Sequence, residues 1–345
     1  MNFPWMRSAT LAAAMAWLLV SCGGGVGSGG TGDVAGGYGR GTVTGFGSVI
    51  VDGERYDDSG ARIEYDTEEG APDVPGRGLE RSDLAVGQRV ELAFESDGDS
   101  SRARVFRISP ALVGPVTSLS PLQVAGQTLR LNDDPDRGPV TRFGARAGGE
   151  TLGTAQQLRL GDRLEVHGVQ LSEGGAPALQ ATRIDRLPAA HGRWLRLNGV
   201  VSGLAADGRS FRLGALTVLL DERGNGNGNG NGNGRVALEN GQRVQVWTRE
   251  PIADNTVVAD RVRLEKPRLA ERQAVRLSGV AGACPGRDRS VYVCVGGTAV
   301  ALAGAAFDAG LAAGSLDGRY LVVSGRFDAA TDAVGEARLR LPPSR

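Results

Sequence analysis

The stretch Leu84-Ala85-Val86-Gly87-Gln88-Arg89-Val90-Glu91-Leu92-Ala93-Phe94 decides how this chain is read. Val90 and Leu92 alternate with Arg89 and Glu91, the period-two pattern of a strand with only one face in the core. Gly87 lets the backbone turn sharply into that strand, because glycine enters left-handed conformations without steric cost. The phrase returns as LRLGDRLEVHG at 158–168, LENGQRVQVWT at 238–248 and LDGRYLVVSGR at 316–326. Its glycines, Gly87, Gly161, Gly241 and Gly318, lie 74, 80 and 77 residues apart. Self-similarity at a near-constant period marks tandem copies of one small unit.

Working outward, each phrase is followed by a second alternating run: ARVFRI (103–108), ATRIDRL (181–187), ADRVRLE (259–265) and EARLRL (336–341). Each is preceded by a strand opener and by hairpin turns such as DGER, ADGRS and RDRS. Alanine-rich pieces before the phrase, such as ARAGGETLGTAQQL and FDAGLAAGSL, suit one short helix or a 3₁₀ turn. The expected fold is therefore all-β: about four tandem OB-like barrels, each of five strands with a short helix or loop between strands 3 and 4. Low aromatic content (5%) and unequal loops leave simple β-sandwich units as the alternative. The expected boundaries are 41–110, 111–188, 194–267 and 274–342. The fourth copy departs most, with Tyr320 standing where the others carry valine or leucine, and with a cysteine pair added.

The opening phrase GTVTGFGSVIVDGERYDDSGARIEYD (41–66) resembles an uncharacterised bacterial domain family. The first repeat carries that resemblance best, and the second and third keep its V-x-G and G-[QD]-R-[VL] landmarks. The resemblance implies tandem OB-like domains in an exported, often lipid-anchored protein. It brings no activity and no catalytic residues.

The N-terminus points the same way. Arg7 precedes the apolar run Leu11–Val20, which is too short to span a bilayer as a helix and reads as a secretory signal over 1–21. Leu19, Val20, Ser21 and Cys22 resemble the lipobox of bacterial lipoproteins. That resemblance implies cleavage before Cys22, lipid (palmitate and related acyl chains) on Cys22, and, with Gly23 next, sorting to the outer membrane. More than one acyl chain gives stable attachment without a spanning helix. The glycine-rich segment 22–40 then reads as a flexible tether. The expected location is the cell envelope, exported, periplasmic or surface-facing, with the membrane as partner through Cys22.

Composition narrows the chemistry. The 39 basic and 39 acidic residues balance, which argues against a nucleic-acid partner. Lys266, the single lysine, sits at the expected junction of the third and fourth units, a poor place for a Schiff base or phosphate loop. His167 and His191 are the only histidines; they read as a strand-edge or surface residue and a linker residue. Neither has metal-ligand spacing, so no metal, no cofactor and no catalytic residue is expected. Asp57-Asp58, Asp97-Gly98-Asp99 and Asp133-Asp134-Pro135-Asp136 lack the calcium-loop pattern and read as turns. Cys284 and Cys294 flank a turn and an alternating run, and are expected to close a hairpin with a structural disulfide; they lack the C-x-x-C spacing of a redox pair. The tract GNGNGNGNGNG (224–234) has no apolar face to bury and reads as a disordered insert in the third unit.

The expected function is a non-catalytic, lipid-anchored envelope protein, binding or structural, with an envelope polymer or protein as partner. An alternative is an oligosaccharide- or small-ligand-binding lipoprotein using one barrel face, with Trp194, Trp247, Tyr292 and arginines gathered there. An envelope hydrolase is a further, less favoured alternative.

Overall fold

In a computed structural model the described residues are 36–66, 78–97, 100–173, 176–188, 194–220, 237–267 and 269–343. Leu19, Val20, Ser21 and Cys22, His191 and the Asn-Gly tract lie outside them.

The first unit shows how the alternating runs close on themselves. It holds β1 (Gly37–Gly45), β2 (Val49–Val51), β3 (Glu54–Tyr56), β4 (Arg62–Tyr65), β5 (Arg89–Asp97) and β6 (Ser100–Ile108). β1 pairs antiparallel with both β2 and β5, and β2 pairs with β3. The residue after β3, Asp57, bridges β6 in parallel, β4 continues that parallel pairing, and β6 returns antiparallel to β5. This circuit is that of a small OB-like barrel. It repeats in unit 2 with β7 (Leu112–Leu119), β8 (Leu122–Val124), β9 (Gln127–Leu131), β10 (Arg142–Ala145), β11 (Arg163–Glu173) and β12 (Ala176–Arg186). Unit 3 has β13 (Leu195–Ser202), β14 (Ser210–Leu213), β15 (Leu216–Leu220), β16 (Arg243–Thr248), and a last strand split into β17 (Thr256–Ala259) and β18 (Arg261–Leu264). Unit 4 has β19 (Ala274–Gly282), β20 (Tyr292–Val295), β21 (Thr298–Ala301), β22 (Ala306–Phe307), β23 (Tyr320–Asp328) and β24 (Ala333–Arg340).

Several details differ from the expectation. Units 1, 2 and 4 add a short extra strand (β4, β10, β22); the segment before the phrase takes the 3₁₀ form of the expectation, at Arg81–Asp83, Ala155–Gln157 and Ala313–Ser315, and unit 2 has a further 3₁₀ turn at Pro135–Arg137. Closure of the circuits sets the sandwich alternative aside. The glycines Gly37 and Gly39, read as tether, belong to β1. They are there for close packing: a Cβ at either would overlap the side chain of Phe94 or Leu92.

The phrase glycines share one geometry. Gly87, Gly161, Gly241 and Gly318 have φ of 93°, 85°, 92° and 76°, in the region that side chains disfavour. Each donates its N–H to the opening strand of its own unit, to Val43, Val116, Val201 and Ala281 respectively. The register that follows places Arg89 opposite Thr42, Arg163 opposite Pro115, Arg243 opposite Val200 and Tyr320 opposite Val280. Tyr320 therefore replaces the arginine of the phrase, not the valine; the spacing from glycine to strand is the same in all four copies, and Arg319 falls at the position of Gln88.

The units join in pairs. β1 and β19 run parallel, Tyr38 opposite Val275, so units 1 and 4 form one continuous sheet. Between units 2 and 3 the backbones meet at one pairing, Val113 with Arg196, but a single apolar cluster runs from Leu112, Leu164 and Ile184 to Leu197, Phe211 and Val246. Units 1 and 4 keep separate clusters, centred on Leu92 and Phe106 and on Leu277 and Val323. Tyr320 and Val322 of unit 4 pack on Val169 of unit 2.

Candidate functional site

Alternating apolar side chains fill the barrel interiors, while part of the other set of side chains, the charged and polar one, meets the neighbouring barrels. Between units 1 and 4, Asp52 accepts from the Ser278 hydroxyl (2.5 Å), the Tyr320 hydroxyl (2.8 Å) and the Thr42 N–H (2.8 Å). Arg89 donates to Thr42 Oγ1 (3.1 Å), Ser278 Oγ (2.9 Å) and the Ser278 carbonyl (2.9 Å). Burial, followed by the Asp52 charge, pushes the Tyr320 phenol well up, so it remains a donor.

Between units 1 and 2 lies a buried group of Glu165, His167 and Asp185, whose candidate ligand atoms fall within 4.8 Å of one another. His167 is fully buried rather than at a surface or strand edge, because β11 turns that face toward unit 1. Its Nδ1 accepts the Arg89 N–H (3.1 Å), which puts the proton of the neutral ring on Nε2, facing Glu165 Oε1 at 3.0 Å. Both ring nitrogens are therefore committed, and no lone pair remains for a metal. Tyr65 donates to Glu165 Oε2 (2.6 Å), and Arg146 stands 3.7 Å away. Burial alone would raise the Glu165 carboxyl; Arg146, His167 and Tyr65 outweigh it and hold it down at about 2. Asp185 pairs with Arg183 (2.6 Å), which also donates to the Val86 carbonyl of unit 1. This group is a joint.

Between units 1 and 3, Asp66 accepts from Arg196 (2.5 Å) and Arg263 (2.7 Å). Burial raises its carboxyl, but the two guanidinium groups more than reverse that and hold it far below the carboxylate range. Arg196 and Arg263 also lie over the Trp247 ring, at 5.2 and 4.9 Å, and Arg249 lies over Trp194 at 5.1 Å. Trp247 is fully buried, and Tyr292 belongs to another cluster beside Arg287 and the disulfide. The three aromatic residues do not gather on one barrel face as the oligosaccharide alternative requires.

Where these joints meet, a cavity opens that is lined by all four units. Its walls include Arg40 and Arg89 of unit 1, Gln170 of unit 2, Arg243 and Glu265 of unit 3, and Gly296 of unit 4. The cavity is small, about 30 Å³, and opens to solvent. Glu265 touches Arg40, accepts from Asn198 (2.7 Å), and lies 3.6 Å from Arg243 Nε. Burial, then the charges of Arg40 and Arg89, push the Arg243 guanidinium down to about 9. Two of the wall arginines, Arg89 and Arg243, occupy the same position of the repeated phrase.

The repeats themselves can be matched. Two stretches, 113–185 and 198–263, fit the family model of a domain of unknown function, DUF5666. They coincide with units 2 and 3, so the chain carries a tandem repeat similar to that uncharacterised family. The matches do not fall on unit 1, whose opening phrase carries the resemblance best. No curated protein and no solved structure matches the chain.

Of the site residues expected from sequence, Cys284 and Cys294 are bonded, with Cα atoms 5.0 Å apart, and close the β19–β20 hairpin. Asp134 caps a 3₁₀ turn by accepting from the Asp136 N–H (2.9 Å), and Asp57 accepts from the Ser59 N–H (3.0 Å), as turn residues do. The sequence alone does not place Arg89 and Arg243 in a cavity. The signal was present, since G-x-R recurs in three copies, but alternation alone assigned those side chains to solvent.

Proposed function

We propose that the protein is a non-catalytic, lipid-anchored component of the cell envelope, attached to the outer membrane through Cys22. Its four fused barrels act as one rigid binding or structural module toward an envelope polymer or protein. The observation that carries the non-catalytic reading is the fate of the groups able to do acid–base chemistry. His167, Glu165, Asp66, Asp52 and Tyr320 are buried and engaged in hydrogen bonds that join one barrel to the next, and Asp185 is buried against Arg183, which itself donates across to unit 1. A general acid or base must reach a substrate proton, and these face each other instead. The lipid anchor rests on the lipobox-like Leu19-Val20-Ser21-Cys22. Membrane fractionation of wild type and Cys22→Ala tests it: wild type should sediment with outer membranes and the variant should appear in the soluble fraction. A Cys22→Ala protein that still sediments with the membrane overturns the anchor. Turnover of an envelope substrate by the purified chain overturns the non-catalytic reading.

A further inference from the structure

The four-unit cavity differs from the other buried joints in one respect. At those joints each guanidinium is met by oxygen: Arg89 by Thr42 and Ser278, Arg196 and Arg263 by Asp66, Arg183 by Asp185 and Val86. The Arg243 guanidinium makes no hydrogen bond among the described residues, and its Nε, like that of Arg196, is buried without an acceptor. Its nearest carboxylate, Glu265, is already engaged by Arg40 and Asn198. The stem of Arg243 is held in place from unit 4, where a Cβ at Gly297 would collide with it. Three arginines and one glutamate thus line a space that retains access to solvent, with 15% of the Arg40 side chain and 19% of the Arg243 side chain exposed.

A partly buried guanidinium whose one carboxylate contact is 3.6 Å away still lacks the close oxygen acceptors that its N–H groups require. Guanidinium presents parallel donors matched to a phosphate or carboxylate edge. A carboxylate already stands on the Arg40 side. The vacant donors of Arg243 face a small space entered through a restricted opening, which suits a compact, multiply charged anion and excludes a long polymer.

We propose that this cavity binds a small tetrahedral oxyanion, a phosphate or phosphate monoester, with Arg243 as its principal ligand and Arg40 completing the positive wall. The anion contacts groups from all four units and locks the junction. Free phosphate and the headgroup of phosphatidic acid present the same chemistry.

Isothermal titration calorimetry on the full chain in detergent micelles, in chloride buffer free of phosphate and sulfate, tests this. Inorganic phosphate should bind with one-to-one stoichiometry and a dissociation constant of about 1 mM or tighter. Methyl phosphate should compete. Arg243→Gln should weaken binding at least about tenfold, a loss expected when a charged donor to an anion is removed. Arg55→Gln, at an exposed arginine on β3, should leave binding unchanged. Short-chain phosphatidic acid is the second arm: competition with phosphate extends the site to a lipid headgroup, and lack of competition assigns it to the free ion. Absence of saturable heat in the wild type at roughly fifty times that constant overturns the proposal. So does binding that survives Arg243→Gln undiminished. Should Arg243→Gln not fold, Arg40→Gln takes its place with the same expected direction.

Discussion

Units 1 and 4 are bound backbone to backbone, through parallel β1 and β19, yet each keeps its own apolar core. Units 2 and 3 reverse the arrangement: one backbone pairing, Val113 with Arg196, and one shared core. The same barrel has thus been fused in two ways. Sheet continuation fixes orientation through directional hydrogen bonds. A shared core couples stability, because apolar burial is roughly proportional to the area removed from water whichever barrel supplies it. The two pairs then meet through buried ion pairs, which bring little net stability but are costly to break by removing one partner and leaving the other buried.

The largest expected effect strikes the contact between pairs. Asp66→Asn leaves Arg196 and Arg263 facing a neutral amide and should cost about 3–5 kcal/mol in denaturant titrations, the usual loss when one partner of a buried pair is removed. Unchanged stability would mean that the pairs do not depend on this joint. The same region should be acid-sensitive. The Asp66 and Glu165 carboxyls are both lower in the folded than in the unfolded chain, so their stabilisation is full above the unfolded values and is lost as pH falls. For Glu165 the window runs from 4.5 down to about 2. Thermal midpoints recorded across that range should drop, and Glu165→Gln should flatten the slope.

Next comes the shared core. Leu197→Ala empties a fully buried site in the cluster common to units 2 and 3 and should cost about 2–5 kcal/mol. Hydrogen exchange should quicken in β11 and β12 as well as in β13 and β16. The matching Leu321→Ala, in the separate core of unit 4, should quicken exchange in β19 and β23 while leaving the core strand β6 of unit 1 protected. Equal spreading in both variants would erase the distinction between the two modes of fusion. Reduction of Cys284–Cys294, a loop of sequence separation 10, should lower stability by about 3 kcal/mol on the chain-entropy model, read as a melting shift confined to unit 4.

The smallest effect separates two equivalent glycines. Alanine at Gly161 meets only left-handed strain, about 1 kcal/mol, since nothing lies within 4 Å of its Cβ. Alanine at Gly87 meets that strain and also the Thr182 carbonyl of unit 2, so its loss should be larger by about 1 kcal/mol or more. Equal melting temperatures for the two variants would show that the contact of units 1 and 2 yields easily.

How much of this could be read from the residues differs by level. The barrels were legible, because period-two alternation and the left-handed glycines are local consequences of strand geometry and steric exclusion. The joints were not. Alternation in GQRVEL tells which side chains leave a barrel's own core; it does not tell whether water or a second barrel receives them. Arg89 and Arg243 read as solvent-facing charges and His167 as a strand-edge residue, and all three are interior. Trp194 and Trp247 read as a possible open platform and are instead covered by arginines. The glycine run before Gly41 misled for a related reason: composition registers freedom, whereas Gly37 and Gly39 are required by the bulk of Phe94 and Leu92.

The parallel pairing of Tyr38 with Val275 carries a consequence for synthesis. As the chain emerges, unit 1 can close its own barrel, but the outer edge of β1 has no neighbour until the fourth repeat is made. An open strand edge is a template for wrong partners, and contacts this distant in sequence form late. The second and third units must therefore fold while that edge is bare. Assembly of the last repeat is what seals the first, so a truncated chain lacking unit 4 should be prone to self-association even though its first three barrels are intact.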